Sequence, residues 1–231
     1  MDDPFAAPES DVAPVRAPLA PAPSFGSVMG RGGGLLWRHP LGALVFVLLN
    51  LPTQMLDSGL FVIAALASVA IDPFSTAYWV GRARGEKRFE ARRVLRRWLP
   101  AFFFGVLSMV ATFIGLVLLV FPAVIIGMRW WFVTAFVVLE DCGWDAFSRS
   151  RELGRGRSRT TMWLMIVSLA MSFATGALGE FLGGTTAVTW GLHVIQTVIQ
   201  VWIAAAGVVL FVDLRAEEGP VAPSPGLRAF G

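Results

Sequence analysis

The sequence predicts an all-α fold: a polytopic membrane helix bundle of about six transmembrane helices with short interfacial amphipathic helices. Three observations carry that expectation. Of 231 residues, 55% are hydrophobic and 15% charged, and the apolar residues gather into runs near the ~20 residues that cross a bilayer. Basic residues are confined to a few loops, and 18 of the 19 are arginine. Beside the apolar runs lie short arginine-rich segments whose apolar residues recur at helical spacing.

Taken in order, residues 1–24 hold six prolines, several alanines and both charge signs without an apolar block. That composition predicts a disordered cytoplasmic tail rather than a signal peptide. Phe25 to His39 mixes apolar Phe25, Val28, Leu35 and Trp37 with Arg31, Arg38 and His39, as an interfacial lead-in does. Gly32, Gly33 and Gly34 are expected to weaken a helix there. Six spans follow, at Leu41–Leu56, Leu60–Val80, Pro100–Val120, Ala123–Leu139, Thr161–Leu178 and Trp190–Val212. Phe121 and Pro122 predict a tight hairpin between the third and fourth. The membrane domain therefore covers 25–218, and 219–231 is a second disordered tail.

Loop charge sets the expected orientation. The 81–97 loop carries Arg82, Arg84, Lys87, Arg88, Arg92, Arg93, Arg96 and Arg97, and the 140–160 loop carries Arg149, Arg151, Arg155, Arg157 and Arg159. The opposite loops, near Asp57, near Phe121 and at 179–189, carry none. Both tails and both arginine-rich loops are thus placed in the cytoplasm of a multi-pass membrane protein.

Several residues stand out against this frame. In Phe89–Leu99, Val94, Leu95, Trp98 and Leu99 alternate with Arg92, Arg93, Arg96 and Arg97, predicting a helix that lies on the bilayer with its arginines at lipid phosphates. Ala146, Ser150 and Leu153 share one face of a short loop helix that Gly154 is placed to stop. Arg129, inside the fourth span, needs a partner, and Glu180 or Asp57 is expected to supply it. Glu140 ends the same span where the helix dipole opposes a carboxylate, so Arg149, Arg151 or Arg215 is expected beside it, latching the span to the loop helix and the last helix. Asp72 precedes Pro73 inside the second span: it either caps the restarting turn or faces a cavity. His193, Gln196 and Gln200 form a stripe on the last span, better suited to bonding neighbouring helices than to lining a path.

In order and spacing, Glu140, Ala146, Ser150, Leu153 and Gly156, after a helix with Pro122, Arg129 and Trp130, resemble the bacterial family named for the membrane domain of glycerophosphoryl diester phosphodiesterases. The lead-in SFGSVMGR, a small-residue second span and the ending LFVDLRAEEG agree, so the resemblance covers residues 24–218. Two features depart from it: Gly32–Gly34 replaces a basic-aromatic lead-in, and a proline is absent at Thr134–Phe136. The resemblance implies a stand-alone membrane module without the catalytic domain.

The residues themselves point away from catalysis. Only His39 and His193 are available as imidazoles, no carboxylate pair is placed for a catalytic metal, and Thr160, Ser172 and Thr175 have no evident base. The lone Cys142 permits no intrachain disulfide. The expectation is a non-enzymatic module without cofactor or metal. It would contact anionic lipid headgroups, with a possible protein partner or homo-oligomer and no nucleic acid. The alternative is a small-solute transporter or channel using Asp72 and the polar stripe, which the lack of an internal repeat disfavours.

Overall fold

The computed structural model describes residues 23–55, 60–86, 89–118, 120–155, 158–181 and 186–218. Their regular structure is helical throughout: α1 (Phe25–Arg38), α2 (Pro40–Met55), α3 (Phe61–Ala83), α4 (Ala91–Leu118), α5 (Val120–Trp130), α6 (Val133–Glu140), α7 (Asp145–Leu153), α8 (Ser158–Phe181) and α9 (Thr186–Glu218). Most of both predicted tails, together with Asp57, Gly156 and the side chain of Glu180, lies outside the described residues.

Among the described residues, four stretches are long and apolar enough to cross a membrane: α3, α4, α5 with α6, and α9. The bent pair α1–α2 makes a fifth, so four to five of the expected six spans are seen among the described residues. The first of these spans is short by itself. At 1.5 Å per residue, the 16 residues of α2 reach only about 24 Å, short of a ~30 Å hydrocarbon core. The class is as predicted, a multi-pass helical membrane bundle.

The core is built around α9. Val201, Ile203, Ala205, Ala206, Leu210, Phe211 and Leu214 are all buried, with α1, α2, α3 and α8 packed around them. Apolar side chains face outward as well: Leu44 and Leu48 on α2, Phe113 and Ile114 on α4, and Phe173 on α8 are exposed. An apolar exterior over an apolar core suits helices whose solvent is lipid.

Two expected elements take different shapes. The glycine-bearing lead-in is a continuous 14-residue helix, not a weakened one. A Cβ on Gly32 would sit 2.8 Å from the Ala206 backbone, so glycine lets α1 and α9 cross at backbone distance. That packing outweighs a helix-propensity cost of about 1 kcal/mol per glycine. Ser24 caps the start by accepting the Ser27 N–H at 3.2 Å. The chain then turns through 99° at the His39–Pro40 boundary. The second difference concerns the arginine-rich segment expected as a separate surface helix over Phe89–Leu99. It is the first turns of α4, which runs through Pro100 without ending.

The α4–α5 hairpin has the expected tightness, since a Cβ on Gly115 would fall 2.9 Å from the Ala123 nitrogen. The fourth span, however, is two helices. Trp131 and Phe132 form a turn between α5 and α6, at a place where the sequence carries neither proline nor glycine.

Candidate functional site

The C-terminus of α6 gathers four arginines from three helices. A helix ends with carbonyls that lack intrahelical donors and with a partial negative charge. Here α4 supplies donors: Arg93 bonds the Leu139 carbonyl at 2.9 Å and Arg97 the Val138 carbonyl at 3.2 Å. Arg97 also holds the Asp141 carboxylate at 2.9 Å, fixing a residue whose φ of 60° lies in the left-handed region that aspartate tolerates better than most.

Glu140 is served from both sides. Arg149 of α7 reaches it at 3.1 Å and Arg215 of α9 at 2.7 Å, two of the three cations the sequence offered, and Arg151 is exposed instead. Arg215 also lies 5.7 Å from the centre of the Phe136 ring. The result is a clasp joining α4, α6, α7 and α9. Cys142 is buried beside it, and burial pushes its thiol up, against the opposing pull of Arg149.

Not every arginine of this region is used internally. Arg92 and Arg96, on the same turns as Arg93 and Arg97, are exposed and have no ionic partner among the described residues. A recess of about 680 Å³ lies at this end of α4, lined by Phe89, Glu90 and these four arginines. Exposed Leu95, Leu99 and Phe103 continue along α4 from the outer pair. Helical spacing therefore sets two free cations at the head of an apolar stripe.

Ser150 sits at the helix break. Its hydroxyl donates to the Arg129 carbonyl at 2.8 Å and accepts the Phe132 N–H at 3.2 Å. Both are backbone groups that a continuous helix would pair internally. Ala146 and Ser150 are fully buried and Leu153 nearly so, the face expected from sequence, while Phe147 packs edge-on against Trp130 with ring centres 4.7 Å apart. The placement differs from expectation. Instead of lying beneath the bundle, α7 folds back along α6 and α5 until Gly154 comes near the Met128 carbonyl. The Arg129 side chain is exposed and forms no ion pair among the described residues. Its expected acids, Glu180 and Asp57, are not among the side chains described.

Asp72 stands midway along α3 and lines a cavity of about 260 Å³ with Thr76, Thr134, Gln200 and the rings of Trp131, Phe132 and Phe211. Gln196 and Gln200 of the polar stripe on α9 are paired with α8. Gln200 takes Ser168 at 3.1 Å and donates to Ser172 at 3.2 Å, and Gln196 accepts Thr175 at 3.0 Å. A further pair was missed from sequence: Arg31 of α1 makes a bidentate salt bridge with Asp213 of α9, one of its bonds at 2.9 Å. An arginine in a lead-in facing an aspartate 182 positions away leaves no local pattern to read.

The fold and this site define a class, the multi-pass helical membrane protein with an arginine-clasped helix end. Compared with known proteins, the chain matches no family model, no curated protein and no solved structure.

Proposed function

We propose that this chain is a non-enzymatic membrane module of the bacterial inner membrane that engages anionic lipid headgroups through its arginine-rich cytoplasmic face, and that it is akin to the phosphodiesterase membrane-domain family it resembles. One observation carries the reading. Arg93 and Arg97 are bound to α6, whereas Arg92 and Arg96 are exposed beside Leu95 and Leu99. A cation pair above an apolar stripe is the complement of a phosphodiester headgroup with its acyl chain. Each arginine at an anionic leaflet contributes about 1 kcal/mol.

The competing reading, a small-solute transporter, needs the stripe on α9 as a path. Gln196 and Gln200 instead bond to hydroxyls of α8, which favours the module.

The test is native mass spectrometry of the chain released from membranes. Retained phosphatidylglycerol or cardiolipin is expected on the wild type and strongly reduced in an Arg92→Gln/Arg96→Gln double variant. Equal retention of anionic lipid by both would remove the headgroup role. A reporter fused at Gly183 and active only in the cytoplasm would reverse the orientation.

A further inference from the structure

Among the described residues, three carboxylates at or near the ends of apolar helices are met by arginines: Glu140 by Arg149 and Arg215, Asp141 by Arg97, and Asp213 by Arg31. Asp72 is the exception. It lies eleven residues from each end of α3, about 16 Å along the axis at 1.5 Å per residue, and none of the described residues forms an ion pair with it. Among the described residues its carboxyl is met by hydroxyls: Thr76 at 3.5 Å, with Thr134 beside it in the same lining. An anion at this depth is costly without a countercharge.

The cavity it faces has a definite chemistry. At about 260 Å³ it would hold several waters, each of which claims ~30 Å³ in the liquid, and it is far larger than a bare inorganic ion. A metal calls for several oxygen or nitrogen ligands from the protein; among the described residues no group of three histidine, cysteine, aspartate or glutamate side chains is placed to hold one. Trp131, half-buried, lines the cavity with a single carboxyl group, two threonines and Gln200, and the buried Phe132 and Phe211 complete the aromatic part of its lining. Aromatic faces plus one anion is the combination that attracts a soft, weakly hydrated cation.

The backbone around the cavity is also interrupted on two sides. Pro73 follows Asp72 and removes an N–H from α3. The α5–α6 turn contributes Trp131 and Phe132, held open by Ser150. Irregular backbone inside a membrane bundle is found where it lines a cavity.

We infer that the Asp72 cavity is a binding site for a small organic ammonium cation, with Asp72 as its counter-ion and Trp131, Phe132 and Phe211 forming its aromatic walls. The site is separate from the arginine face and needs no translocation path.

The probe is tetramethylammonium chloride, titrated calorimetrically into the full chain in phosphatidylcholine nanodiscs, with sodium chloride at the same ionic strength as reference. Saturable heat with tetramethylammonium alone is expected. It should weaken at least tenfold in Asp72→Asn, and likewise in Ala204→Met, which fills the cavity without touching the carboxylate. Three outcomes would overturn the assignment: no saturable heat, meaning a protonated or water-filled site; an equal response to sodium; or Asp72→Asn within twofold of the wild type. Should Asp72→Asn fail to give a monodisperse helical protein, Ala204→Met decides, and unchanged binding there counts against the site.

Discussion

Glu140 and Asp72 are both carboxylates on apolar helices, and the molecule treats them in opposite ways. Glu140 closes α6 and receives two arginines from two other helices, so its charge is matched and its position makes it a tie between elements. Asp72 sits mid-helix with hydroxyls and aromatic rings for company. The difference separates two uses of charge in a membrane protein. At the end of a helix a charge pair organises the bundle, while in its middle an acid without a countercharge leaves an open valence for a ligand.

The comparison is most directly broken at Glu140. Glu140→Gln leaves Arg149 and Arg215 without their anion. It should lower unfolding free energy by about 3 kcal/mol, in the range for losing charged hydrogen bonds in a partly buried site; reversible unfolding in mixed micelles measures it. The same variant should speed maleimide labelling of Cys142, which in the wild type is slowed by burial and by a raised thiol pKa that keeps the thiolate scarce at neutral pH. A wild-type labelling rate in Glu140→Gln would mean that the clasp does not hold this end together.

Ser150→Ala comes next. It strips the Arg129 carbonyl and the Phe132 N–H of their partner, and an unmet buried polar group costs about 1–3 kcal/mol. The expected result is a loss near 2 kcal/mol, with Ser150→Thr recovering part of it. Hydrogen exchange at Phe132 separates a lost splint from general loosening, because protection should fall there first.

Asp72→Asn should have the smallest effect and the opposite sign. Replacing this carboxyl by its neutral isostere while keeping the shape should leave stability unchanged or raise it by up to about 1 kcal/mol. A destabilisation as large as that of Glu140→Gln would reveal a hidden structural cation and erase the distinction between the two acids.

Much of this was legible in the sequence, for reasons that differ from residue to residue. Hydropathy marks the apolar runs because lipid exposure demands them. Pro122 is a local signal for the tight α4–α5 connection, although it stands in the first turn of α5, and the buried face of α7 is plain from the spacing of Ala146, Ser150 and Leu153. Glu140 announced its need for a cation by standing at a helix C-terminus. The break at Trp131–Phe132 was not legible, because its cause is a hydroxyl eighteen residues away and no proline or glycine marks the spot. Nor was the helicity of Gly32–Gly34 visible. Propensity counts those glycines as a cost, and only the facing Ala206 turns them into a contact. The arginines of Phe89–Leu99 look like one lipid-facing set in the sequence, but one helical turn divides them into an inner pair that binds α6 and an outer pair that does not.

The bridge made by Ser150 has a consequence for the order of assembly. A chain is synthesised from its N-terminus, so Pro122–Glu140, a single apolar stretch of 19 residues, can partition into the bilayer before Ser150 has left the ribosome. At that stage the stretch has no partner for an open turn, and an unbroken helix satisfies its backbone best. The interruption at Trp131 and Phe132 is then installed after insertion, when the following segment folds back and offers its hydroxyl. The translocation machinery handles a plain helix, and the finished protein acquires an interrupted one whose Trp131 and Phe132 line the cavity with Asp72.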